Sequence, residues 1–125
     1  MLNGLDWLTI LIAAGVVLLF LVLKRVGLVG VEAARSWLRT GAKVIDVRSV
    51  GEYQAGHLEG TLNIPLHELR EQIARQVPDQ DQVLLLHCMS GARSAFAKRI
   101  LKKLGYQHAH NLGSYGRAQR ILRQT

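Results

Sequence analysis

Apolar and polar positions follow two different patterns along the chain. Trp7 to Leu23 reads WLTILIAAGVVLLFLVL, seventeen residues without a charge. A helix of that length rises roughly 25 Å, near the lower end for crossing the hydrocarbon core of a bilayer. A core helix of a soluble domain carries a polar stripe, and this run has none. A cleaved signal peptide has a basic start and small residues at its end; MLNGLD contains no Lys or Arg, and the run ends in Lys24-Arg25. The pattern therefore predicts a retained transmembrane helix at 7–23, a tail at 1–6, a linker at 24–30 and one globular domain at 31–125.

Within that domain the periods are short. Val31, Ala34 and Leu38 share a helical face, and Gly41 follows as a stop. KVIDV at 43–47 and VLLLH at 83–87 are short apolar runs of the kind that form buried strands. Residues 48–63, with Gly51, Gly56 and Gly60, read as loop. Leu66, Leu69, Ile73 and Val77 mark an amphipathic helix that opens after Pro65 and closes at Pro78. Phe96, Ala97, Ile100, Leu101 and Leu104 mark another, from about Arg93 to Gly105. A third strand is predicted at 108–112, and a last short helix around Ala118, Ile121 and Leu122. Strands alternating with helices predict an α/β fold with a central, mostly parallel sheet covered on both faces.

Charge adds direction. The net charge is +7, and all sixteen Lys and Arg lie after residue 23. Basic residues that flank a span stay in the cytoplasm, so the domain is expected inside and the N-terminus outside a cell membrane. Residues 93–125 hold eight basic and no acidic residues, a third suited to anionic membrane lipid or an acidic partner. No nucleic-acid motif accompanies the charge, so nucleic acid is not expected as a partner. The single cysteine, Cys88, excludes a disulfide within the chain and a multi-cysteine metal site.

Cys88 stands where a predicted strand ends, and a helix begins a few residues on. Gly91 lets the intervening Met89-Ser90-Gly91-Ala92 turn tightly, and such a loop can aim several amide N–H groups at one point. With the helix N-terminus, they favour a thiolate and lower its pKa. Arg93 adds a fixed positive charge and a planar fork, suited to bracing the loop or to holding an oxyanion.

These residues resemble the single-domain rhodaneses, the thiosulfate sulfurtransferase family. Asp46-Val47-Arg48 is similar to the family's first strand-end signature. Glu52-Tyr53, Gly56-His57 and Asn63-Ile64-Pro65 match the stretch before its second helix. Cys88-Met89-Ser90-Gly91-Ala92-Arg93-Ser94 matches its active-site loop, C-x-x-G-x-R-S, and Gly105-Tyr106 and Asn111-Leu112 match later elements. The resemblance implies a rhodanese fold over about 31–123 and a persulfide carried on Cys88. It also implies a small anionic sulfur donor such as thiosulfate, and a thiol or protein sulfur acceptor. Met89, Ser90, Gly91, Ala92, Arg93 and Ser94 would form the substrate-binding loop. No cofactor and no metal is expected. One segment departs from the family, which usually has a Gly-Gly pair and a Trp after the last strand; here the chain reads Asn111-Leu112-Gly113-Ser114-Tyr115-Gly116.

Other residues call for plainer roles. Asp46, Arg48 and Glu52 are expected to be structural supports through hydrogen bonds and ion pairs. His57 is expected on a turn. His87 should point away from the face that Cys88 uses. His108 and His110 share a strand face, yet lack a third ligand nearby. A cysteine phosphatase is the competing enzyme, but its loop places five residues between Cys and Arg where this chain has four. A membrane-localised relay or adaptor for one partner is the competing function.

Overall fold

The computed structural model describes residues 3–25 and 27–125. The first helix, α1, spans Gly4–Arg25. It is longer than the apolar run predicted, because Asn3 and Asp6 close its first turn: the Asn3 backbone N–H donates to the Asp6 carboxylate at 2.8 Å. Twenty-two residues rise about 33 Å, which removes the apparent shortage of length. Its apolar side chains are exposed, among them Leu5, Trp7, Leu11 and Leu18. Residues 1 and 2 of the expected tail lie outside the described residues.

The expected linker is partly structured. Lys24 and Arg25 belong to α1, while Leu28 makes a parallel bridge to Asn111 and the Val29 N–H donates to the Asn111 carbonyl at 2.9 Å. Arg117 donates to the Val29 carbonyl at 2.5 Å and to the Leu112 carbonyl at 2.6 Å. The bridge and the two bonds to Val29 thus tie the backbone at Leu28 and Val29 to the sheet edge, ahead of Val31.

From there α2 (Val31–Arg39), β1 (Lys43–Asp46), α3 (Val50–Ala55), β2 (Thr61–Asn63), α4 (Leu69–Gln76), β3 (Leu84–His87), α5 (Ala92–Lys103), β4 (Ala109–Gly113) and α6 (Tyr115–Arg123) follow in turn. The four strands are all parallel, in the order β2-β1-β3-β4. β3 is central and wholly apolar up to His87, as a strand covered on both faces must be. One face buries Ile45, Leu84 and Leu86 under Leu69, Ile73, Ala97 and Leu101 of α4 and α5. The other buries Val44, Leu85 and Leu112 under Ala34, Ala118 and Ile121 of α2 and α6. Each fully buried leucine contributes about 1.5–3 kcal/mol.

Two elements replace the loop expected over 48–63. α3 is held by a capping box: the Glu52 N–H donates to the Ser49 hydroxyl at 3.2 Å, and the Ser49 N–H donates to the Glu52 carboxylate at 3.2 Å. β2 pairs with β1 through Thr61, Leu62 and Asn63. The helix expected to open at Pro65 starts as a single 3₁₀ turn, Leu66–Glu68, before α4.

Candidate active site

The C-terminal ends of β1 and β3 lie side by side, with Asp46 paired to His87 in register. Cys88 therefore emerges at the sheet's carboxyl edge, where open α/β sheets place their ligand sites. It is fully buried, while its neighbours Met89 and Ser90 are exposed. Gly91 takes a left-handed φ of 98° and caps α5. That turn brings its N–H to 3.0 Å from Cys88 Sγ, to which it donates. The buried Ser94 hydroxyl lies 3.5 Å from the same sulfur and 3.1 Å from the Gly91 carbonyl. Burial pushes the Cys88 thiol up, but hydrogen bonds from Ser94, Gly91 and Ser90 outweigh it and hold the thiol below its ordinary range.

Arg93 does not point at the sulfur. Its two terminal nitrogens donate to the two Glu52 oxygens at 2.6 and 3.0 Å, a fork-on-fork pair joining α5 to α3 across forty-one positions. Of the two roles open to it, the geometry is that of a brace. The Glu52 carboxyl is held at about 2, first by the Arg93 hydrogen bond and further by Ser49. A guanidinium engaged in this way is not available to wrap a phosphate, which tells against the phosphatase alternative together with the short loop.

Asp46 and Arg48 form a second, buried pair. Arg48 Nε and Nη2 donate to the Asp46 carboxylate at 3.0 and 2.7 Å, and Nη2 also donates to the Gly56 carbonyl at 2.8 Å. The Tyr115 ring covers this guanidinium, 4.8 Å away. His87 donates from Nδ1 to the Cys88 carbonyl at 3.3 Å, and burial lowers its pKa, so it stays neutral. His57 stacks on Tyr53, and His110 stacks on Trp37. Asn111 had no assigned role, yet its amide donates to the Gly91 carbonyl at 3.3 Å and its carbonyl oxygen accepts the Gly113 N–H at 3.0 Å. The available signal is an amide side chain in the middle of a short, mostly buried strand, where it must find partners.

The segment after β4 walls the loop. The Cys88 N–H donates to the Gly113 carbonyl at 3.2 Å, and the Tyr115 N–H to the Met89 carbonyl at 3.1 Å. Arg48, Glu52, Gly56, Met89 and Tyr115 line a cleft of about 330 Å³ beside the exposed part of the loop.

Residues 31–116 match the rhodanese-like domain family. The chain belongs to that family. Thiosulfate sulfurtransferase PspE of Escherichia coli is 42% identical over 83 residues, 66% of this chain and 73% of that protein. The human thiosulfate:glutathione sulfurtransferase is 34% identical over 101 residues, covering 70% of this chain and 88% of the relative. A solved rhodanese with anions from E. coli has a TM-score of 0.59 and 40% identity over 62% of this chain and 91% of its own. This rhodanese is accordingly a sulfurtransferase enzyme. Where it departs from the family pattern after β4, Gly113 and Tyr115 supply the wall that touches its loop.

Proposed function

We propose that the protein takes sulfane sulfur from an anionic donor such as thiosulfate onto Cys88 and passes it to a thiol or another nucleophile. The observation that carries this is the Gly91 N–H, 3.0 Å from a sulfur already biased toward thiolate. In the first half, the Cys88 thiolate attacks the outer sulfur of thiosulfate. An S–S bond forms to Sγ, the donor's S–S bond breaks, and sulfite leaves with the electron pair. In the second half, an acceptor thiolate attacks the terminal sulfur and the Cys88 thiolate leaves. Both half-reactions begin or end on an anionic sulfur, which the loop's N–H groups stabilise. Ser94 holds Cys88, Asn111 holds the Gly91 carbonyl, and Arg93 with Glu52 locks α5 against α3. The acceptor thiol named for the human relative fits this scheme.

The test is intact mass. Incubation with thiosulfate should add one sulfur atom to the chain, and cyanide or a small thiol should remove it. Cys88→Ser should abolish both; sulfur transfer surviving in that variant would overturn the assignment.

The same proposal places α1 in a membrane as a single-pass anchor with the domain on the cytoplasmic side. Its support is a helix of sufficient length whose apolar side chains are all turned outward, with Lys24 and Arg25 at its domain end.

A further inference from the structure

Outside α1, the exposed large apolar residues among the described residues are Val50, Met89, Phe96 and Leu104. Two of the four lie at the Cys88 loop in the chain: Met89 follows the cysteine, and Phe96 is on the first turns of α5; Val50 opens α3, the helix that Glu52 joins to Arg93. Phe96, 61% exposed, is the most open of them. It borders a groove of about 640 Å³ between α4 and α5, lined by Arg70, Arg99 and Lys103 and ending at Arg93. Among the described residues, no acidic one lines it. Arg70, Arg99 and Lys103 form no salt bridge among the described residues, and the Arg99 guanidinium lies 5.8 Å from the Phe96 ring. Arg93, in the first turn of α5 directly after the Cys88 loop, is part of the lining, so one end of the groove lies beside that loop.

We infer that this face is the docking surface for an acidic polypeptide that carries the acceptor thiol. The inference rests on the sulfurtransfer proposed above and names its partner. Aromatic side chains ringed by arginines are the usual anchors of protein interfaces, and unpaired cations select an acidic partner by charge. From Arg93 to Lys103 the groove follows about 15 Å of helix, far longer than one cysteine. A small thiol would leave most of that length unused. An anionic bilayer would meet the same cations, but it brings no thiol to a surface whose exposed apolar residues Met89 and Phe96 lie at the cysteine loop and just after it.

The experiment uses the full chain in discs of neutral lipid, loaded with thiosulfate. Two hexapeptides serve as acceptors, each with one cysteine and two leucines, one filled out with glutamates and the other with glutamines; cyanide is the third acceptor. The acidic peptide should be favoured over the neutral one by about tenfold in kcat/KM, since matched charge accelerates encounter. Arg70→Glu combined with Arg99→Glu should erase or invert that preference while cyanide discharge stays unchanged. Phe96→Ala should weaken both peptides and spare cyanide. Equal use of the two peptides by the unmodified protein would overturn the inference, as would equal losses with cyanide and peptide in the variants. An effect of the charge reversal seen only in discs of anionic lipid would make the groove a lipid surface and also overturn it. Failure of Cys88 to load at all would instead sink the underlying sulfurtransfer.

Discussion

Burial alone would keep Cys88 protonated, because a thiolate loses far more solvation than a thiol on leaving water. Its lowered pKa therefore depends on a few hydrogen bonds, with Ser94 contributing first among those that lower it. Ser94→Ala should move the inflection of iodoacetamide alkylation against pH upward; an unmoved inflection would show that the loop amides suffice without it. Glu52 makes a second prediction, with a sign set by its depressed pKa. Its ordinary value is 4.5 and its folded value about 2, so the pair with Arg93 stabilises the fold above the ordinary value. That contribution is lost as pH falls from about 5 toward 2. Both side chains are about one-third exposed, which limits the pair to about 1 kcal/mol. Glu52→Gln should lower the unfolding midpoint at neutral pH and converge with the unmodified protein near the acid end. Parallel midpoint curves from neutral to acid would remove the pair from the stability of the fold. The sequence named both residues but could not join them, since nothing local links positions forty-one apart.

At the scale of elements, apolar periodicity located α2, β1, β3, α5 and β4 with bounds that shift by only a residue or two, and α6 by its apolar face alone. It missed α3 because six residues make under two turns, and none of the six is buried, so there is no stripe to read. The signal there was polar instead: Ser49 followed three positions later by Glu52, a capping box in plain sequence. β2 escaped because its three residues are all half-buried and alternate in nothing. The ends of these elements are tied by the Asp46–Arg48 pair, which joins the tip of β1 to the turn after α3 through the Gly56 carbonyl. Asp46 is fully buried and Arg48 nearly so. Asp46→Ala would leave a buried guanidinium without its counter-ion, at a cost of about 3–5 kcal/mol. Chemical denaturation should register that loss, and a change under about 1 kcal/mol would mean that water or Gly56 can replace the carboxylate.

For the whole molecule, the asymmetry of charge predicts orientation. In intact cells an external protease should remove a tag fused before Met1 and spare one fused after Thr125. The reverse pattern would invert the proposed topology. A soluble product shorter by about two dozen residues would make α1 a cleaved signal instead. The charge asymmetry was legible in the sequence, whereas the docking of Leu28 and Val29 was not, because KRVGLVG has the composition of a loose connector. That docking carries a consequence for how far the enzyme can reach. Only residues 26 and 27 separate Arg25 from Leu28, where the backbone joins the edge of β4. A leash of two residues spans about 11 Å at full stretch. With α1 held in a bilayer, the Cys88 loop would sweep only a thin shell along the membrane, and its local concentration would be high only for acceptors that enter that shell.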